Sequence, residues 1–174
     1  MNLVIIGFMG TGKSTLGRVL AGELGYEFID TDQIIEKDYG KKIPQIFQEE
    51  GEAFFRSLEN KLAHKLSESD RKVIATGGGW VLNPENLRLS RTNGFIISLL
   101  ARPEVIYERT KHETNRPLLC GADPLFEIRR IMAERESLYQ DADLLVDTSR
   151  GTPVELIGGV IEELIKRGIV HGRG

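Results

Sequence analysis

The segment Gly7-Phe8-Met9-Gly10-Thr11-Gly12-Lys13-Ser14 carries the strongest chemical signal in the chain. The spacing Gly-x-x-x-x-Gly-Lys-Ser belongs to a loop whose successive backbone N–H groups curl into a nest for phosphate. Its glycines let the backbone turn tightly, and a helix opening at Lys13 would point its positive dipole end at the same spot. Such a loop grips the phosphates of ATP along Gly10, Thr11, Gly12, Lys13, Ser14 and Thr15. Lys13 reaches the β- and γ-phosphates and follows their charge during transfer, and the Ser14 hydroxyl binds Mg²⁺.

Two other readings of the loop fare worse. A dinucleotide turn would use Gly10-Thr11-Gly12, with Asp30 or Asp32 as the acidic residue about 20 positions further on. But Thr15 stands where its third glycine belongs, and Lys13-Ser14 would have no task there. A GTPase switch, a binding module whose output is conformation, would want an Asn-Lys-x-Asp guanine reader. The nearest string, Asn60-Lys61-Leu62-Ala63, lacks the aspartate.

Asp30 and Asp32 flank Thr31 at the end of a short apolar run. One of the three is expected to cap the following helix. Two carboxylates beside a phosphate site can also order Mg²⁺ waters and hold an acceptor hydroxyl. Arg135 shares a helical face with Ile128, Ile131, Met132 and Leu138. A cation on an inward stripe needs a ligand, a buried ion pair or an escape to the helix edge, and the pattern leaves these open. Arg56 is placed to pair with Glu59 one turn on, or to fork with Arg135 around one carboxylate. The stretch 111–123 lacks apolar periodicity and carries Arg116-Pro117-Leu118-Leu119. It is either a surface loop or a lid that excludes water while Arg116 brings charge to the moving phosphoryl group. His64, His112 and His171 have no catalytic spacing and read as surface residues.

The elements that must position these groups alternate. Apolar or β-branched runs at 2–6, 27–29, 72–75, 95–100 and 144–146 lack clean alternation, as strands buried on both faces do. Amphipathic helical patterns fill the gaps. Leu16, Val19, Leu20 and Leu24 make one face before Gly25; Phe55, Leu58, Leu62 and Leu66 make another. Asp123-Pro124 predicts a capped helix start, and Thr152-Pro153-Val154-Glu155 a capping box. Alternating strands and helices predict a doubly wound α/β fold, with ligands beyond the carboxyl ends of the strands. The phosphate loop, Asp30-Thr31-Asp32 and Thr76-Gly77-Gly78-Gly79 all fall at such ends.

Length and composition bound the rest. The 174 residues fit one domain, and 40% hydrophobic with 28% charged residues is ordinary for a globular chain. A net charge of −3 gives no basic field, so neither nucleic acid nor an anionic membrane is expected as partner. The lone Cys120 excludes an internal disulfide, no Cys/His spacing suggests zinc, and no apolar run reaches membrane-spanning length. A cytoplasmic monomer acting on small molecules is the expectation.

Together these residues resemble the shikimate kinase family. The matching pieces, in the family's order, are residues 7–15, Phe-Ile-Asp-Thr-Asp at 28–32, Phe-Phe-Arg-x-x-Glu at 54–59, Thr-Gly-Gly-Gly at 76–79, Arg-Pro-Leu-Leu at 116–119 and Arg-x-x-x-Tyr at 135–139. The resemblance implies a single P-loop kinase domain over 1–174, with a five-stranded parallel sheet in the order 2-3-1-4-5, of the nucleoside-monophosphate-kinase type. It implies a substrate-binding segment at about 31–62 and a lid at about 111–123. It further implies ATP-dependent phosphorylation of the 3-hydroxyl of shikimate, in aromatic amino-acid biosynthesis. By position, Asp32 would hold ring hydroxyls and serve as base or positioner. Arg56 and Arg135 would clamp the carboxylate, and Gly77, Gly78 and Gly79 would let the backbone approach the substrate. Phe47 and Phe55 would wall the pocket, Asp30 would hold Mg²⁺ through water beside Ser14, and Arg116 would close over both substrates. Arg109 and Pro153 would sandwich adenine. Trp80 departs from the small residue expected after the triplet, which bears on the pocket wall and not on the reaction.

Overall fold

The apolar runs pair into one five-stranded sheet, all neighbours parallel, in the order β2-β3-β1-β4-β5. The computed structural model describes residues 1–111, 123–152 and 154–171. Its strands are β1 (Asn2–Gly7), β2 (Glu27–Asp30), β3 (Lys72–Ala75), β4 (Gly94–Leu100) and β5 (Leu144–Asp147). Its helices are α1 (Lys13–Leu24), α2 (Thr31–Tyr39), α3 (Ile43–Glu50), α4 (Glu52–Ser67), α5 (Pro84–Thr92), α6 (Pro103–Thr110), α7 (Pro124–Gln140) and α8 (Ile157–Lys166), with short 3₁₀ turns at Trp80–Leu82 and Thr148–Arg150. Arg116, Pro153 and the proposed lid between Lys111 and Asp123 lie outside the described residues.

Residues on β1 alternate between two cores, as the pleat requires. Val4 and Ile6 join Ile74 and Ile96 under Ile35, Phe55, Ile106 and Ile128. Leu3 and Ile5 join Val73, Ile97 and Leu99 under Leu16 and Leu20 of α1 and Val160 and Leu164 of α8. Each such side chain contributes about 1.5–3 kcal/mol by leaving water. The expectation of strands buried on both faces holds for β1, β3 and β4 but not for the sheet edges. On β2 and β5 no residue is fully buried, and Leu145 is 47% exposed. An edge strand has a partner on one side only, and helices cover it less completely.

The helix ends follow the local chemistry. Gly25, at φ 65°, stops α1 with an N–H to the Ala21 carbonyl. Asp123 caps α7 through Phe126 N at 3.0 Å. The Thr152–Glu155 box closes reciprocally at 2.7 and 3.3 Å, just before regular α8 begins. The chain runs from β1 outward to β2 and back through β3, then crosses to β4 and β5. That reversal leaves a crevice above the carboxyl ends of the strands beside β1, where Gly7, Asp30 and Thr76 begin their loops.

Candidate active site

The phosphate loop links β1 to α1 with Gly10 at φ 75° and Gly12 at φ 92°, conformations that suit glycine. A Cβ on Gly10 would also lie 2.7 Å from Thr110 Cγ2. Unlike α2, α5 and α7, helix α1 has no side-chain cap, and its first turn holds no acidic residue. Its free N–H groups form a concave anion site. Lys13 Nζ folds back to donate to the carbonyls of Gly7 and Phe8, at 2.9 Å each. Thr11 is buried, and its hydroxyl donates inward to the Phe8 carbonyl at 2.7 Å. It can therefore serve a phosphate chain through its backbone only. Thr15 lies exposed on the first turn.

Asp30 caps the helix, as one residue of Asp30-Thr31-Asp32 is expected to, and also reaches the phosphate loop. Oδ1 accepts from Asp32 N and Gln33 N and so caps α2, while Oδ2 accepts from the Ser14 hydroxyl at 2.7 Å. The second contact brings two hard oxygen donors together beside the loop, a set that fits a small dication. Among the described residues no group of three or more His, Cys, Asp or Glu side chains forms a metal cage. Phosphate oxygens and water would have to complete the shell, the usual arrangement for Mg²⁺.

The opposite wall is made of charged side chains. Asp32 Oδ1 and Glu59 Oε1 are buried without a hydrogen-bond partner among the described residues. Both lie within 3.0 Å of the point a Gly77 Cβ would occupy. Burial pushes the Asp32 carboxyl up to about 6, with the Asp30 charge adding and Lys13 opposing. Burial likewise pushes Glu59 up to about 7, against the pull of Arg56 and helped by Asp32. Arg56 pairs with Glu59 at 2.7 Å and Glu52 at 2.9 Å. Its guanidinium carbon lies 5.5 Å from the Phe55 ring centroid and 6.0 Å from that of Phe47, and the two rings pack at 4.9 Å. Arg56 and both phenylalanines thus share one corner, held by ionic and cation–π contacts.

The glycine triplet is small for a reason the motif does not reveal. A Cβ on Gly79 would sit 2.3 Å from the Arg56 guanidinium, and one on Gly77 2.6 Å from Asp32 Oδ1. Both glycines clear space for the site's own charged groups. Thr31 anchors the loop by accepting from Gly77 N at 3.0 Å, and the Tyr139 hydroxyl donates to Gly78 O at 2.7 Å. Arg135 is half-buried one turn before Tyr139 and interacts with that hydroxyl. Among the described residues no carboxylate pairs with Arg135. Arg109 spans the other end of the cleft, donating to Gly10 O at 3.3 Å and Thr148 O at 2.7 Å.

Two residues stand differently from the sequence reading. Trp80 does not wall the pocket. It is 1% exposed, packs on Ala63 and Leu89 between α4 and α5, and donates Nε1–H to Ser90 Oγ. Glu59 enters as a site residue, where the sequence reading gave it as a partner for Arg56 and as the end of the Phe-Phe-Arg-x-x-Glu match with no role of its own. The available signal was its place on the Phe55, Leu62, Leu66 stripe, the same kind of signal that singles out Arg135.

The comparisons agree with this geometry. A family model described as shikimate kinase matches residues 9–166. A shikimate kinase of Pelotomaculum thermopropionicum is 49% identical over 163 residues, covering 94% of this chain and 95% of that protein. A solved structure of shikimate kinase from Acinetobacter baumannii in complex with shikimate superposes with a TM-score of 0.91 at 34% identity, covering 95% and 93% of the two chains. A gluconokinase from Sinorhizobium meliloti, at TM-score 0.60 and 17% identity over 95% and 91% of the chains, shares the fold alone. On sequence, topology and cleft chemistry together, the chain belongs to the shikimate kinase family.

Proposed function

We propose that this chain transfers the γ-phosphoryl group of ATP to the 3-hydroxyl of shikimate, giving shikimate 3-phosphate and ADP on the route to aromatic amino acids. The observation that carries the site assignment is the pair of buried carboxyl oxygens of Asp32 and Glu59 that lack a hydrogen-bond partner among the described residues, beside Arg56. Such atoms await hydroxyl donors, which a polyhydroxy acid supplies. Arg135, lacking a described carboxylate partner, supports the reading that the acid's carboxylate docks there. Arg56 is already compensated by Glu52 and Glu59 and would assist by direction more than by net charge.

In this scheme the Gly10–Thr15 backbone holds the triphosphate. Lys13 exchanges its bonds with the Gly7 and Phe8 carbonyls for phosphate oxygens, so its charge tracks the transfer. Asp32 orients the 3-hydroxyl and receives its proton as the oxygen–phosphorus bond forms and the bridge to ADP breaks. A divalent ion, Mg²⁺ in our reading, would be held by Ser14 and through water by Asp30. It would neutralise charge on the phosphates. We assign Arg116 to the transferring group, Arg109 and Pro153 to adenine, Phe47 and Phe55 to the acceptor wall, and Gly77–Gly79 to close approach of the loop. One domain spans the chain, with an acceptor segment at 31–62 and a lid at 111–123. We take the enzyme as a cytoplasmic monomer; among the described residues, no helix is long and apolar enough to cross a membrane.

An ADP-release assay with shikimate, gluconate, AMP and CMP as acceptors tests the assignment. Turnover with shikimate at least about a hundredfold faster than with the others is expected, since the buried polar groups would stay unpaired with a wrong acceptor. Fast turnover of another acceptor with none of shikimate would refute it.

A further inference from the structure

Helix α4 meets the glycine loop at successive levels along its axis. Arg56 lies under Gly79, where a Cβ would clash at 2.3 Å, and Glu59 lies by Gly77, at 3.0 Å from such an atom. Next in line, Asn60 Nδ2 donates to Asn86 Oδ1 at 3.1 Å, and Asn86 Nδ2 donates on to the Trp80 carbonyl at 3.3 Å. Asn86 is fully buried. One turn beyond Glu59, Ala63 receives the Trp80 ring, which Leu89 of α5 closes from the other side. A void of only about 10 Å³ remains beside the indole.

The triplet is continuous with this anchor. Trp80 N donates to Gly77 O at 3.1 Å and Leu82 N to Gly79 O at 3.0 Å, so the glycines form the first turn of the 3₁₀ segment that carries the indole. Glycine supplies no side chain to hold itself in place, so the triplet depends on its backbone contacts, to Thr31 at Gly77 and Tyr139 at Gly78, and on the segment that follows it. Arg56 and Glu59 project from α4 into a gap with no slack. The depth of the loop against α4 therefore decides whether they meet the acceptor correctly. Thr31 and Tyr139 fix the first two glycines. On the side facing α4 the depth is set where a large ring fills a slot and where an amide chain ties helix to loop.

We propose that Trp80 and Asn60 are positioning residues for the acceptor site: they hold the glycine triplet in register with α4, so that Arg56 and Glu59 engage the acceptor together. This rests on the acceptor reading given above. Gly78 faces the phosphate-loop backbone at ordinary contact distance, 3.5 Å from Met9 N to the point its Cβ would occupy. Gly77 and Gly79 press on Asp32, Glu59 and Arg56 at 3.0 Å or less, so a shift of the triplet should fall mainly on the acceptor.

The experiment measures KM for shikimate, KM for ATP, kcat and Tm in wild type, Trp80→Phe, Trp80→Ala and Asn60→Ala. Trp80→Ala empties the slot and should raise the shikimate KM about tenfold or more, with the ATP KM unchanged within about twofold. Trp80→Phe keeps a ring in the slot and should restore most of the affinity. Asn60→Ala leaves Asn86 Oδ1 unpaired and should raise the shikimate KM about fivefold. If Trp80→Ala does not fold, Asn60→Ala decides alone, and Trp80, the chain's single tryptophan, then reports by fluorescence that its slot is still filled. A folded Trp80→Ala or Asn60→Ala enzyme with unchanged shikimate KM, or with both KM values raised equally, overturns the proposal. Wild type that turns over another acceptor but not shikimate fails one step earlier, overturning the acceptor reading and this inference with it.

Discussion

The phosphate wall and the acceptor wall face one cleft and are built from opposite materials. Residues 7–14 present backbone: glycines in left-handed conformations, an uncapped helix start and a threonine whose hydroxyl points into the loop. Lys13 is the cation that works there, and it rests on carbonyls of its own loop. The acceptor wall presents Asp32, Arg56 and Glu59, all from helices and all crowded against glycines. Backbone donors carry fixed partial charges that no protonation can remove, whereas buried carboxyls carry charge that burial itself opposes. The first wall suits any triphosphate at any moderate pH. The second suits one kind of acceptor and is sensitive to acid.

The largest effect should come from the cation of the backbone wall. Lys13→Ala is expected to lower kcat about a thousandfold, the scale of losing a charged donor to the transition state, with shikimate binding nearly unchanged. Steady-state kinetics with equilibrium binding of shikimate checks this, and an equal loss of shikimate binding would erase the division between the walls. Next comes pH. Asp32 and Glu59 must be charged to accept hydroxyl protons, so kcat/KM for shikimate should fall about tenfold or more between pH 7.5 and 5. The apparent midpoint should lie between the values of about 6 and about 7 that burial, with the Asp30, Glu36 and Glu52 charges adding to it, sets against the pull of Lys13 and Arg56. ATP affinity should not follow that limb. Stability should move the other way. Both folded-state values lie above the ordinary 3.8 and 4.5, so the native chain holds these protons more tightly, and their stabilisation is full below pH 4 and lost by about pH 7. Thermal melts at pH 5 and 7.5 of wild type against Glu59→Gln isolate that contribution. The smallest effect belongs to Thr11→Val. Its inward hydroxyl leaves the nucleotide to the backbone, so kcat and the ATP KM should change less than about threefold, at a stability cost of about 1 kcal/mol.

The same contrast explains what was readable in advance. The phosphate loop is a local motif, and its function could be stated before any contact was known. All five strands were readable to within one residue at either end, because runs of β-branched and apolar residues bounded by glycine and charge leave few other options. The exposure of β2 and β5 was not, since being at an edge is decided by pairing and not by composition. Asp30 illustrates a limit of another kind. Capping and a place beside the metal site were separate readings of the Asp-Thr-Asp segment, and a carboxylate has two oxygens, one for the helix start and one for Ser14. Glu59 and Trp80 were obscured because their roles depend on meetings across chain segments: Glu59 with Asp32 around Gly77, and Trp80 with Ala63 and Leu89.

The tight clearance around Gly77 and Gly79 also says how this pocket can be redesigned. A protein engineer wanting a bulkier or less acidic acceptor would be tempted to reshape the flexible-looking triplet, yet any side chain at Gly79 would displace the Arg56 guanidinium, and any at Gly77 would strike Asp32. Mutational freedom lies across the pocket, at the partly buried Phe47 ring. Volume can be removed there at the cost of one long cation–π contact at 6.0 Å and with the Glu52 and Glu59 pairs of Arg56 left in place. Altered substrate range in this chain should therefore come from its aromatic corner, while side chains added at Gly77 or Gly79 should disturb Asp32 or Arg56 and weaken the acceptor site.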